Sequence, residues 1–166
     1  MELNEFKNEL VEIFERVKGD VKQIYGRQRA GLSLGLADLG MFRGGFIGGM
    51  HFHPGTSIIM NKTPLRLILK DQPHNIIWAY AYHILLHEYL HSLGIIDEEA
   101  CRLATLKVTE AIFEEEEHPT MIFARKGIGA YFPDLHITYV PPQRRPDGIA
   151  IEYVEGFDKS SYSYYS

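Results

Sequence analysis

Residues 87–97 of this chain read His-Glu-Tyr-Leu-His-Ser-Leu-Gly-Ile-Ile-Asp. In an α-helix, side chains four positions apart lie on the same face, so His87 and His91 can direct two imidazoles at one metal ion. Glu88 is then placed to bind or deprotonate a water on that ion. Gly94 can adopt the positive φ that ends a helix and turns the chain back towards the histidines. The spacing therefore predicts a metal site near the end of a helix.

The segment before this motif is almost entirely apolar over residues 76–86. A helix that is apolar around most of its circumference is buried, and a buried His-Glu-His cluster is costly unless an ion compensates it. Two histidines one turn apart with a glutamate between them are used for zinc-dependent hydrolysis. We therefore expect Zn²⁺ on His87 and His91, with Glu88 as the general base. His83, one turn earlier, is interpreted as a packed histidine rather than a further ligand.

The composition limits the classes of protein to which the chain can belong. Hydrophobic residues make up 45% of the chain and charged residues 23%, which is typical of a globular domain. The net charge is −5 and the basic residues are scattered, so no nucleic-acid or anionic-membrane partner is predicted. One cysteine, Cys101, excludes an intrachain disulfide framework and a cysteine-rich zinc module. The N-terminus lacks the order of a signal peptide and no apolar run approaches about 20 residues, so we expect a cytoplasmic protein.

The remaining patterns predict one α+β domain over residues 1–157 and a flexible tail over 158–166. Apolar residues spaced alternately by three and four predict an amphipathic N-terminal helix ended by Gly26, with a coiled-coil helix as the alternative. Glycines punctuate residues 29–61, which predicts strands and tight turns. Thr63 and Pro64 are predicted to begin a short helix. The predicted elements are helices over 2–25, 63–70, 74–93 and 98–117 and strands over 31–36, 46–53, 57–61, 135–140 and 149–154.

Two further histidines, His51 and His53, alternate along one predicted strand and therefore point to the same side. They can bind a second metal ion, but a partly exposed strand face is the preferred interpretation.

The spacing His-Glu-x-x-His-x-x-Gly-x-x-Asp resembles the extended motif of the metzincin clan of zinc metallopeptidases. Most of that clan have a third histidine in the last position, and a snapalysin-like minority have aspartate, as this chain has at Asp97. The segment around Met121, His-Pro-Thr-Met-Ile-Phe, resembles the methionine turn that lies under the metal in that clan. The resemblance covers about residues 76–123. It implies a zincin-like fold: an N-terminal helix, a small twisted mixed sheet whose edge strand lies near residues 57–61, the motif helix, a further helix and the methionine turn.

The third zinc ligand has several candidates. The resemblance implies Asp97, which can alternatively be the N-cap of the next helix. In the gluzincin clan the third ligand is a glutamate on the following helix, a pattern that Glu98 and Glu99 resemble at a shorter spacing and Glu110 at a longer one. Archaemetzincin-like proteins carry extra cysteines for a structural zinc, and this sequence, whose single cysteine is Cys101, has no such set.

The function implied by the resemblance is hydrolysis of a peptide or protein substrate that pairs with the edge strand. Tyr131, Tyr139 and His136 are the candidate donors to the developing oxyanion, and the sequence does not choose among them. The alternatives are a non-proteolytic metal-binding or peptide-binding domain, a gluzincin-type peptidase, and a hydrolase of small amides or esters.

Overall fold

The computed structural model describes residues 1–41, 45–51, 56–132 and 148–157, together with the backbone of His136 and Ile137. Within these residues the chain forms an α+β fold of five helices, a four-stranded mixed sheet and a two-stranded ladder. The helices are Leu3–Tyr25 (α1), Lys62–Asp71 (α2), His74–Ser92 (α3), Glu98–Ile112 (α4) and Pro119–Lys126 (α5). The strands are Ser33–Ala37 (β1), Gly45–Phe46 (β2), Gly49–His51 (β3), Ser57–Asn61 (β4), His136–Ile137 (β5) and Glu152–Tyr153 (β6). The predicted tail over 158–166 lies outside the described residues.

The predicted N-terminal helix is confirmed as α1. Its apolar stripe, which includes Phe6, Leu10 and Phe14, is fully buried, and the helix packs along α3. Gly26 ends it with φ 67°, and its N–H donates to the Lys22 carbonyl at 2.8 Å. The stripe is therefore the face by which α1 covers the central helix.

The motif helix, α3, runs through the centre of the molecule. It contacts α1, α2, α4, α5 and the sheet, which explains why nearly every residue from Ile76 to Ser92 is buried. The sequence predicted this helix and its near-continuous apolar surface. No helix in the described ranges is both long and apolar enough to cross a bilayer.

The sheet has the order β3-β4-β1-β6. β1 pairs parallel with β4, while β3 and β6 pair antiparallel with β4 and β1 respectively. The prediction of an edge strand near residues 57–61 is therefore wrong, because β4 lies inside the sheet and β3 lies at its edge. Ile58, Ile59 and Met60 are all fully buried, and a continuous apolar run is typical of a strand covered on both faces.

The start of α2 differs from the prediction, because its N-cap is Asn61 rather than Thr63. The Asn61 side-chain oxygen accepts from the backbone N–H of Thr63 at 3.1 Å and of Leu39 at 2.9 Å. Its amide nitrogen donates to the carbonyls of Gly40 at 3.0 Å and Ile47 at 2.8 Å. One fully buried side chain thus joins the end of β4 to two loops and the start of a helix.

The segment predicted to form a methionine turn is helical instead. α4 ends at Ile112, before the acidic run, and α5 begins at Pro119. The His118 ring accepts from the Thr120 N–H at 3.2 Å, and proline at the first helical position suits a helix start. Met121 is buried in the first turn of this helix.

Candidate metal centre

The two histidines of the motif meet one carboxylate from the next helix. His87 and His91 are buried, with ring centroids 4.8 Å apart at a nearly perpendicular angle. Glu98, the first residue of α4, reaches both rings. Its Oε2 atom lies 3.1 Å from His87 Nε2, and its Oε1 atom lies 2.7 Å from His91 Nε2. Two imidazoles and a carboxylate therefore converge between α3 and α4.

The turn between the helices puts Glu98, and not Asp97, beside the histidines. Gly94 adopts φ 104°, and Asp97 is the N-cap of α4, where its Oδ2 atom accepts from the Ala100 N–H at 2.8 Å. Asp97 is exposed and its carboxylate is occupied by the helix N-terminus. The sequence-based choice of Asp97 as third ligand therefore has no support from this arrangement, whereas its alternative role as a cap does.

The other acidic candidates lie elsewhere. Glu99 is exposed and binds Arg102 at 2.6 Å, and Glu110 lies near the other end of α4, 3.4 Å from Arg125. Because a helix turns by 100° per residue, Glu98 and Glu99 cannot face the same neighbour. Among the acidic candidates, Glu98 is the one with its carboxylate at both histidines.

The C-terminal end of α3 is held by two arginines from the loop after α1. Arg27 donates to the Leu93 carbonyl, and Arg29 Nη1 donates to the Ser92 carbonyl at 2.7 Å. The Arg29 backbone N–H also donates to the Tyr89 hydroxyl at 3.0 Å. These bonds occupy carbonyls that a helix leaves without partners at its end, and they fix the turn that contains His91.

The Ile95 carbonyl locates one proton of the His91 ring. His91 Nδ1 lies 2.7 Å from the Ile95 carbonyl oxygen, and because a carbonyl only accepts, this nitrogen carries the proton. In the neutral ring, Nε2 then presents a lone pair. It faces Glu98 Oε1 at 2.7 Å, yet neither atom makes a hydrogen bond within the described structure. If Nε2 also carries a proton, the two atoms form an ion pair, and if it does not, a cation is needed to offset the repulsion between them.

Glu88 is also buried beside this pair. Its Oε2 atom makes no hydrogen bond with the described residues. Burial raises the pKa of Glu88 well above its usual value, and the charge of Glu98 raises it further. Gly49 of the edge strand approaches closely, since a Cβ atom on it would lie 3.4 Å from Glu88 Cγ. A carboxylate with a raised pKa therefore lies against the edge of the sheet.

The pKa shifts favour a neutral His87, a neutral His83 and an ionised Glu98. Burial lowers the pKa of His87, although its hydrogen bond to Glu98 opposes this shift. Burial alone would raise the pKa of Glu98, but the hydrogen bond and the charge of His87 outweigh it and the net shift is downwards. Burial, and then the charge of His87, lowers the pKa of His83 to about 3. Neutral imidazoles with an ionised carboxylate are the forms that bind a divalent cation.

Cys101 is a functional candidate that the sequence analysis missed. Its Sγ atom donates to the His87 carbonyl at 3.2 Å and is fully buried. Ligand atoms of His87, His91 and Cys101 lie within 4.8 Å of one another, so this group can hold a metal ion. Burial raises the pKa of the Cys101 thiol, as do the charges of Glu88 and Glu98. Its position three residues after Glu98, and hence on the same helix face, is the sequence signal that could have found it.

A cleft of about 250 Å³ reaches the site between α3, α4 and α5. His83 and His87 line it from α3, Arg102 and Thr105 from α4, and residues 123–127 from α5. His87 thus connects the centre to a cavity large enough for water or a small polar group.

Some predicted residues are not brought to the centre. His83 packs beside Phe123, with ring centroids 6.2 Å apart, and Tyr131 packs on the same phenylalanine at 5.0 Å. His51 is buried in β3. The positions of His53 and Tyr139 and of the His136 side chain lie outside the described structure. The choice of an oxyanion donor therefore stays a prediction.

Comparison of the chain with protein-family models, with curated proteins and with solved structures finds no match. The metzincin-like resemblance and the zincin-like fold therefore stay predictions, and the α+β architecture is what the coordinates establish.

Proposed function

We infer that this protein is a zinc-dependent peptidase in which His87, His91 and Glu98 bind the metal and Glu88 is the general base. The observation that carries the inference is the convergence of the Nε2 atoms of His87 and His91 on the two carboxylate oxygens of Glu98, at 3.1 and 2.7 Å. A divalent cation bound here would take the place of the protons that these atoms share, with the two imidazoles and the carboxylate as its ligands.

The donor set fits zinc. Two histidines and a glutamate, with a fourth position left to water, form a known catalytic zinc site. Ligand atoms at 2.0–2.1 Å from a tetrahedral zinc lie about 3.3 Å apart. The separations of 2.7 and 3.1 Å from Glu98 to the two rings need only small side-chain adjustments. A divalent charge would also balance the charge of the half-buried Glu98 beside the buried Glu88.

The residues around the metal have distinct roles in hydrolysis. Bound zinc supplies Lewis acidity, which polarises a carbonyl and lowers the pKa of a water to about 7. Glu88 takes the proton of the attacking water and passes it to the leaving amine, tasks for which its raised pKa is suited. The edge strand β3 passes Glu88 at Gly49, so an extended peptide paired with β3 would run beside the general base.

The test of this function is Glu88→Gln, assayed with a mixed peptide library and mass-spectrometric detection of the cleaved bonds. We expect the variant to bind one zinc ion as the wild type does and to lose about 10²–10⁴-fold in turnover, because it lacks the base but keeps the ligands. Glu99→Gln is the control, since that exposed carboxylate binds Arg102 and not the site. Unchanged turnover in Glu88→Gln would refute the mechanism.

A second candidate, a non-catalytic metal-binding domain, is favoured by the position of Cys101. With His87, His91 and Glu98 it makes four donors, which is the number in a closed structural zinc site. The buried Glu88 has no role in such a site. Stoichiometric zinc in the wild type without cleavage of any library peptide would favour this candidate.

A further inference from the structure

The metal centre has two donor pairs on facing helices. His87 and His91 are four residues apart on α3, and Glu98 and Cys101 are three residues apart on α4, so each pair shares one helix face. Cys101 is exposed neither to solvent nor to the cleft, because its sulfur is buried against α3, within 4.8 Å of histidine ligand atoms. This distance is close to what shared ligation requires.

We propose that Cys101 is a fourth, exchangeable metal ligand, which holds the position of the reactive water in the resting protein and leaves it when a substrate carbonyl binds. The inference rests on the proposed metal site and adds to it a built-in latency. The state with the thiol bonded to the His87 carbonyl is then the open state of the site.

The movement that this exchange needs is small. With a Zn–S bond of about 2.3 Å and a Zn–N bond of about 2.0 Å, tetrahedral geometry puts sulfur and nitrogen about 3.5 Å apart. Because the ligand atoms lie within 4.8 Å of one another, the sulfur has to approach the histidines by at most about 1.3 Å. The His87 carbonyl that it leaves lies within α3 and also accepts the helical N–H of His91, so no buried acceptor loses its last partner.

The exchange is a ligand substitution with no redox change. On ligation the S–H bond is replaced by a sulfur–metal bond, the thiol proton passes to bulk water, and the displaced water leaves intact. The reverse step returns a proton to sulfur and restores the hydrogen bond to the His87 carbonyl. The buried Glu88 is the reason to expect an open state, because a permanently closed site would leave that carboxylate buried without a task.

The experiment is cobalt substitution of the full chain, followed by absorption spectroscopy. A thiolate ligand gives Co²⁺ an intense near-ultraviolet charge-transfer band that oxygen and nitrogen ligands do not give. We expect this band in the wild type and in Thr109→Ser, and no band in Cys101→Ser and Cys101→Ala. Thr109 is the matched control, because it is buried on the same helix about 12 Å further along, and its replacement also alters a small buried side chain.

Two further measurements complete the test. Loss of a ligand should weaken cobalt affinity in both Cys101 variants by at least the roughly 10–100-fold that follows loss of a supporting residue. Acetohydroxamate, a small chelating analogue of the amide group, should abolish the wild-type band by displacing the thiolate. Circular dichroism of each variant is the control for retention of the fold.

The outcomes separate the two proposals. Stoichiometric cobalt without the band overturns the role of Cys101 and leaves the proposed peptidase standing. A band that persists at saturating acetohydroxamate overturns the exchange and favours the closed, non-catalytic site. Absence of cobalt binding in the folded wild type overturns the metal site itself, and with it both proposals.

Discussion

Replacing Asp97 and Glu98 separately by alanine distinguishes a helix cap from a metal ligand. The two carboxylates are adjacent in sequence, and either substitution removes one negative charge. Asp97 bonds the Ala100 N–H, whereas Glu98 contacts His87 and His91. We therefore expect opposite patterns when the free energy of unfolding is measured with and without zinc.

The magnitudes follow from the two roles. Loss of an N-cap costs about 1 kcal/mol, so Asp97→Ala should lower stability by about that much in both conditions. Zinc at 100 times its wild-type Kd stabilises the folded state by about 2.7 kcal/mol. If Glu98→Ala weakens zinc binding about 100-fold, the same zinc concentration stabilises that variant by only about 0.4 kcal/mol. Its metal-free form should also lose stability, because the contacts of Glu98 with His87 and His91 disappear, so the zinc-dependent increment is the quantity that separates the two variants.

The assay is urea unfolding followed by circular dichroism, for the three proteins, in chelator and in a fixed zinc concentration. The decisive quantity is the zinc-dependent increment in the free energy of unfolding. The reasoning is refuted if Asp97→Ala loses this increment while Glu98→Ala keeps it, because Asp97 would then be the ligand and the observed cap would not persist in the metal-bound protein.

Three other perturbations test the surroundings of the site. In the metal-free protein, the raised pKa of Glu88 contributes stability that is present below its unfolded value of 4.5 and is lost as the pH rises towards the folded pKa. The free energies of unfolding of the wild type and of Glu88→Gln are compared by urea titration from pH 4 to 8. As the pH rises, their difference should change in favour of the variant. Asn61→Ala should lower the free energy of unfolding by about 2–4 kcal/mol, because it leaves buried backbone groups of two loops and one helix N-terminus without partners. A loss below about 1 kcal/mol in chemical unfolding would contradict the role of Asn61 in joining these segments. Gly49→Ala should cost about 1–3 kcal/mol and reduce peptidase turnover, because its Cβ would lie 2.9 Å from the backbone carbonyl oxygen of Ile59. Gly48→Ala should cost less, because its Cβ would meet side-chain ends, the Ile84 methyl group at 2.7 Å and the Tyr80 hydroxyl at 3.3 Å. Equal melting temperatures and turnover for the two variants would speak against the close approach of β3.

The sequence predicted the elements whose patterns are local. The apolar stripe of α1, the buried α3 and the strand at Ser57–Asn61 all follow from periodicity, and the structure confirms them. The convergence of His87 and His91 follows from the helical repeat alone. Such features need no knowledge of the rest of the fold.

The features that sequence reasoning missed depend on tertiary contacts. Whether Asp97 or Glu98 faces the histidines is decided by a difference of one residue in where α4 begins, and both residues suit the start of a helix. The position of β4 inside the sheet depends on β3 and β6, which are too short for their patterns to be recognised. The helix at Pro119 depends on a histidine cap, which the usual preference for Ser, Thr, Asp and Asn does not suggest.

The arginine contacts at the end of α3 have a consequence for kinetics. The last turn of a helix normally frays on a fast timescale, and His91 lies in that turn. Because Arg27 and Arg29 bond the carbonyls of Leu93 and Ser92, the turn can open only together with the loop that follows α1. Dissociation of an ion held by His91 should then be as slow as this larger opening. A metal bound here would be kinetically trapped, and a chelator would remove it at a rate independent of the chelator concentration.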